Sequence, residues 1–196
     1  MPDAPTAQTT LGHLEIVNPL GQGTWQLRDR SSGKTYFMKL TTASEVETTL
    51  RAASIRLPAD SNFVLPRVLA ADPTLPAHLN AEVNAFLTSE TGQRERPGRT
   101  RILITEAVPN RTTLGELVGN PDAIQTALRG QPISREEWQQ MMRTVEALNK
   151  AGVENRDFAS NMFVERGTDG RLRFHAIDFE PDTFAPMFAG QLSGLP

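Results

Sequence analysis

Asp157, Asn161 and Asp178 are the side chains of this sequence whose types and spacing could do chemistry together. One carboxylate can take up a proton, and an amide with a second carboxylate supplies the hard oxygen ligands that Mg²⁺ prefers. That set suits phosphoryl transfer, where catalysis is mostly positioning and charge neutralisation. The intervening residues form the frame. An apolar strand (Met162, Phe163, Val164) follows Asn161, and a polar turn spans Gly167 to Gly170. A second strand (Leu172, Phe174, Ala176, Ile177) then leads into Asp178. Paired as a hairpin, the two strands bring Asn161 and Asp178 to one end, with Asp157 just before it.

Composition sets the outer bounds. The chain has 196 residues, 38% of them hydrophobic and 22% charged, which allows a core in one domain or two small lobes. The absence of cysteine excludes disulfides, thiol catalysis and cysteine-ligated zinc. His13, His78 and His175 are too scattered for a His-based metal site, and His175 is read as a packed or surface strand residue. A net charge of −3 gives no reason to expect nucleic acid. Apolar runs fall short of a membrane span, and no basic segment precedes an apolar one at the start. A soluble monomer is expected.

Along the chain, residues 1–12 read as a flexible N-terminus. Leu14 to Leu40 alternates as three antiparallel strands broken at Leu20-Gly21-Gln22-Gly23 and Ser31-Ser32-Gly33. Thr42 to Glu45 is a capping box, and Val46, Leu50 and Ala53 predict the apolar face of the helix behind it. Phe63 to Ala71 reads as one strand interrupted by Pro66. Residues 74–92 read as a helix, Arg94 to Arg101 as a charged loop, and Arg101 to Val108 as a strand. In the second half, Thr113 to Glu116 and Ser134 to Glu137 are further capping boxes. The second starts the clearest helix, with Trp138, Met141, Met142, Val145 and Leu148 on its apolar stripe and Gly152 at its stop. The expected organisation is a lobe over 13–108 and a smaller, helical one over 109–196.

Strands, a helix, more strands, a hinge, then helices and an acid–amide–acid hairpin is an order that resembles the protein-kinase fold over residues 14–180. LGQGTWQL resembles the Gly-rich loop, with Gly21 and Gly23 at its first two glycines. YFMK resembles the strand carrying the phosphate-binding lysine, Lys39. Glu47 resembles the helix glutamate that pairs with it, and Glu45 is a rival for that role. ILITEAVPN resembles the hinge strand, with Thr105 at the gatekeeper position and Glu106 and Ala107 beginning the hinge. GVENRDFASN resembles the catalytic loop and AIDFE the metal-binding segment. The resemblance implies an α+β bilobal fold binding ATP through Gly21, Gly23, Lys39, Glu47, Thr105, Glu106 and Ala107. Asn161 and Asp178 would hold Mg²⁺, and Asp157 and Lys39 would act in catalysis.

Residue chemistry is consistent with those roles. Glycines let backbone N–H groups approach phosphate oxygens. A lysine inside an apolar strand is costly unless it meets an anion. Asp157 would hold the acceptor hydroxyl and take up its proton.

Only 16 residues follow Glu180, and that size resembles the minimal kinases that bacteria secrete into host cells. The implied activity is phosphorylation of Ser/Thr hydroxyls on a host protein, after residence in the bacterial cytoplasm. A small-molecule kinase and a catalytically inactive, partner-binding pseudokinase are the alternatives.

Overall fold

The computed structural model describes residues 11–95, 98–108, 111–153, 159–177 and 179. A 3-10 turn at Leu11–His13 opens into strands β1 (Leu14–Gly21), β2 (Thr24–Asp29) and β3 (Thr35–Thr41), paired antiparallel in sequence order. Helix α1 (Ala43–Ser54), strands β4 (Phe63–Val64) and β5 (Val68–Ala71), helices α2 (Ala77–Thr88) and α3 (Glu90–Glu95), and strand β6 (Arg101–Glu106) follow. The remainder holds helices α4 (Leu114–Leu117), α5 (Pro121–Leu128) and α6 (Arg135–Lys150), and strands β7 (Met162–Arg166) and β8 (Leu172–Ala176). Five strands make an antiparallel sheet in the order β1-β2-β3-β6-β5, and three make a second in the order β4-β8-β7. The fold is α+β.

Two compact units divide the chain: Met1–Val46 with Arg67–Ala107, and Glu47–Pro66 with Val108–Pro196. In the first, one face of the five-stranded sheet is closed by α2. Leu79 and Val83 pack with Trp25, Leu27, Met38, Leu40 and Ile104, all nearly inaccessible. Period-two alternation in β2 and β3 selects that face. In the second, Met141 and Leu148 of α6 pack on Met162, Val164, Phe174 and Phe179. Arg166 reaches from β7 to the N-terminal turn of α6, where its Nη1 lies 2.8 Å from Glu137 Oε1. Glu137 also completes the capping box with Ser134, so one carboxylate serves both the helix start and the hairpin.

Four local expectations change. Phe63 to Ala71 is two strands in different sheets: β4 runs parallel to β8, while β5 pairs antiparallel with β6. Pro66 lies between them, and its missing N–H cannot continue a ladder. The helix expected over 74–92 is broken at Ser89. Its extended backbone ends α2, and its Oγ accepts the Gly92 N–H at 3.1 Å, capping α3. Helix α5 was not anticipated, although Asn120 at its N-cap and Pro121 in its first turn spell a start signal. On α6, Met142 stands at the edge of the stripe, 36% exposed.

Candidate active site

The face of the five-stranded sheet opposite α2 carries Lys39 and Phe37, two residues apart on β3. Cross-strand pairing extends this face in rows. Thr24, Lys39 and Leu103 stand opposite one another, and so do Gln26, Phe37 and Thr105. Directly opposed residues of an antiparallel sheet share a face, so the expected lysine and gatekeeper residues are brought to one surface. Most of this surface is half-buried, unlike the packed face behind it.

At one end of that surface the chain turns through Gln22 and Gly23, between the paired Gly21 and Thr24. The φ angles are +86° at Gly21, +51° at Gln22 and +71° at Gly23. Two successive positive values at the centre make a type I′ hairpin turn, whose twist matches the flanking strands. Gly23 is needed twice over. A Cβ there would meet Phe86 Cε1 at 3.2 Å in a backbone region that L side chains rarely adopt. Its carbonyl also accepts the Leu40 N–H at 2.8 Å, tying the turn to the strand of Lys39.

Lys39 is 25% exposed, and its Nζ lies 2.6 Å from Oε1 of Glu45, which is 10% exposed. The Thr41 hydroxyl donates to the other carboxylate oxygen, and the Glu45 N–H donates to Thr42 Oγ1 at 3.1 Å. Glu45 thus closes the first turn of α1 and presents its charge to the lysine. This corrects the expectation for Glu47, which is 75% exposed and pairs with Arg51 at 3.2 Å. The cause is helix rotation. Two residues advance about 200° around a helix, so a face that turns Glu45 inward sends Glu47 outward. The buried positions of α1 are Glu45, Val46, Thr48, Thr49 and Ala52. Leu50, expected inside, is 43% exposed.

The residues expected at the hinge differ in what they do. Thr105 lies on the Lys39 face. Glu106 stands opposite Tyr36 on the alternate face, and its carboxylate lies 3.3 Å from Lys34 Nζ and 3.7 Å from Arg67 Nη1. Its N–H donates to Arg67 O at 2.8 Å, and the Ala107 N–H donates to Thr35 O at 2.9 Å. Both of these N–H groups are thus engaged by backbone carbonyls.

In the second unit, Met162 pairs with Ala176, and the Ile177 N–H donates to Asn161 O at 3.1 Å. The hairpin therefore sets Asn161 beside Ile177, the residue that precedes Asp178. Residues at the start of α4 fasten the same segment. The Gly115 N–H donates to Ala159 O at 2.9 Å, and Thr113 bridges Phe163. Phe179 is 1% exposed within the core of this unit. Asp157 and Asp178 lie outside the described residues. Among those described, no group of three His, Asp or Glu side chains is gathered to hold a metal ion. An amide beside the Asp178 segment remains a chemically suitable oxygen donor for Mg²⁺.

His175 stands on β8 with its Nε2 3.1 Å from Glu165 Oε1. Burial pushes its pKa below the usual value near 6.5, while Glu165 pulls the other way.

Sequence reasoning missed Arg99 and Phe86, both of which reach the Gly21–Gly23 turn. Arg99 Nη1 donates to Gln22 O at 3.1 Å. Neither residue carries a local signal, because each acts across a long sequence separation.

The profile of the lipopolysaccharide kinase (Kdo/WaaP) family matches residues 83–182. The match takes in β6, the hinge residues, and the segment with Asp157, Asn161 and Asp178. No curated protein matches the chain. Among solved structures, the Rad53 kinase domain and SCD2 in complex with AMPPNP aligns at a TM-score of 0.44 and 14% identity, over 85% of this chain and 51% of that one. A second structure of the Rad53 kinase domain and SCD2 aligns at 0.42 and 13%, over 86% and 51%. The chain spans about half the length of these structures. No helix among the described residues is long and apolar enough to cross a membrane.

Proposed function

The chain belongs to the lipopolysaccharide kinase (Kdo/WaaP) family, and from that premise we propose that it transfers the γ-phosphoryl group of ATP to a hydroxyl of a saccharide. The observation that carries this reading is the ion pair of Lys39 and Glu45 on the sheet face below a glycine turn. An ammonium held at 2.6 Å from a carboxylate keeps its charge and a fixed position, as a group that is to meet phosphate oxygens requires. Backbone N–H groups of a positive-φ turn beside it supply further donors to phosphate oxygens.

The remaining roles follow from donor chemistry. Lys39 neutralises phosphate charge, and the turn at Gly21 to Gly23 cradles the phosphates. Thr105 and the hinge carbonyls meet the base. Asn161 and Asp178 would hold Mg²⁺, which neutralises charge on the phosphates when bound. Asp157 orients the acceptor hydroxyl and takes its proton as the bond to phosphorus forms, with ADP leaving. A Ser or Thr hydroxyl of a protein is the same nucleophile, so a Ser/Thr kinase of the secreted-effector type is the second reading.

Incubation with γ-labelled ATP and Mg²⁺ tests both. One reaction contains lipopolysaccharide and its core saccharides, and another a host-cell lysate, each run beside Lys39→Met and Asp178→Ala. Label in the saccharide fraction with the unmutated chain alone supports the first reading, and label in protein supports the second. An absence of transfer with intact ATP binding would point to a pseudokinase, and an absence of binding would reject the nucleotide site altogether.

A further inference from the structure

The outward face of the Gly21–Gly23 turn is braced from a distant part of the chain. Beyond α3, Arg99 Nη1 donates to Gln22 O at 3.1 Å and lies 3.9 Å from Glu95 Oε2. That Glu95 oxygen is buried and has no hydrogen-bond partner among the described residues. Phe86 of α2 packs against Gly23 in the same turn and meets Trp25 edge-to-face, with ring centroids 5.7 Å apart. Helix α2 thus closes one face of the sheet, and its Phe86 together with Arg99 fixes the glycine turn.

The bond to Gln22 has a stereochemical consequence. Gln22 is a non-glycine residue at φ +51°, a conformation that persists only where its surroundings hold it. All peptides among the described residues are trans. In a planar trans peptide the C=O and the following N–H point in opposite directions. Holding the Gln22 carbonyl towards Arg99 therefore turns the Gly23 N–H away from Arg99.

Resting on the nucleotide reading above, we propose that Arg99 is a positioning residue for the phosphate-binding turn. It fixes the Gln22–Gly23 peptide so that its N–H is presented to a phosphate oxygen before nucleotide arrives. Preorganised donors bind and stabilise developing charge without reorganisation, so removing Arg99 weakens recognition of phosphate and spares the nucleoside. Arg99 needs no contact with ATP for this.

The test is equilibrium titration of Mg-ATP and of adenosine against the full chain, R99A and R99K, with amide hydrogen exchange over residues 22–24 in the nucleotide-free proteins. R99A should raise the Kd for ATP roughly five- to tenfold, the loss expected when one charge-assisted hydrogen bond no longer holds the donor. Its Kd for adenosine should stay unchanged and exchange over the turn should accelerate. R99K, which keeps the charge without the planar fork, should fall between. An unchanged ratio of ATP to adenosine affinity in an R99A that still binds ATP overturns the inference alone. Unaltered exchange over the turn overturns it too. A wild-type chain that binds neither ligand overturns the proposed function and this inference with it.

Discussion

Replacing Glu45 by Gln, and separately Glu47 by Gln, separates the two carboxylates of α1 by their energies. Glu45 sits 2.6 Å from Lys39, with the pair 10% and 25% exposed. Removing one partner of a fully buried ion pair costs about 3–5 kcal/mol, whereas exposed pairs contribute about 0–1 kcal/mol. The exposures of Lys39 and Glu45 place this pair between those limits, so E45Q should cost about 2 kcal/mol. For a chain of this size that is a drop in Tm of about 4–8 °C. Glu47 and Arg51 are 75% and 50% exposed, and their i,i+4 attraction amounts to about 0.3 kcal/mol at most. E47Q should move Tm by less than about 1 °C. Thermal unfolding by circular dichroism reads both, and titration with Mg-ATP should show weaker binding for E45Q alone, because the ammonium has lost its anchor. Equal losses in the two variants, or a larger one in E47Q, would refute the assignment of Glu45 and the helix rotation behind it.

Three further outcomes follow from the structure. Arg166→Ala leaves Glu137 without its partner at 2.8 Å on a side chain only 7% exposed; urea unfolding should show a loss of about 3 kcal/mol, and Arg166→Met with Glu137→Gln should recover part of it. Gly21→Ala and Gly23→Ala both place a Cβ at positive φ, but only the second also meets Phe86 at 3.2 Å; the expected losses are about 1 and about 2 kcal/mol, measured by the same unfolding. Burial holds the His175 pKa below 6.5, so the unfolded chain binds this proton first as pH falls. The stabilisation is therefore full above pH 6.5 and is lost as pH drops from there towards the folded value. Melting temperatures recorded down to about pH 5 should show a shallower slope for His175→Gln than for wild type.

Much of the frame was legible because its signals are local. Alternation marked β2 and β3, two capping boxes marked α4 and α6, and the polar turn at Gly167 to Gly170 marked the hairpin that sets Asn161 beside Ile177. The misreadings share a different cause. The spacing of Val46, Leu50 and Ala53 predicts the inward face of α1 and, with it, Glu47 near Lys39; of the three apolar residues only Val46 is buried. The buried positions are Glu45, Val46, Thr48, Thr49 and Ala52, a face that includes the carboxylate paired with Lys39. Tertiary electrostatics overrode the hydrophobic pattern, and no window along the helix contains Lys39. The split of Phe63 to Ala71 is of the same kind: Pro66 announces an interruption, but the two sheets that receive the halves are defined by β6 and β8, far along the chain.

That distinction bears on where the chain is specific to itself. Gly21, Gly23 and Lys39 are legible in the sequence as candidates because glycine and a strand lysine advertise what they permit. The groups that fix them are ordinary residue types: Glu45 at a helix start, Phe86 on a helix, and Arg99 within a charged stretch. A mobile turn would have to lose conformational freedom each time it closed on phosphate, which opposes binding. Here φ is positive at three successive residues, and the turn is held by an aromatic ring and by a guanidinium. Much of that ordering is therefore complete before any nucleotide arrives. It follows that lengthening the 96–100 segment with flexible residues should weaken ATP binding more than an equal insertion at Gly33, which also has a positive φ but nothing within 4 Å of the place its Cβ would take. Titration of the two insertion variants with Mg-ATP reads the difference, and equal effects would show that the brace contributes nothing to the turn.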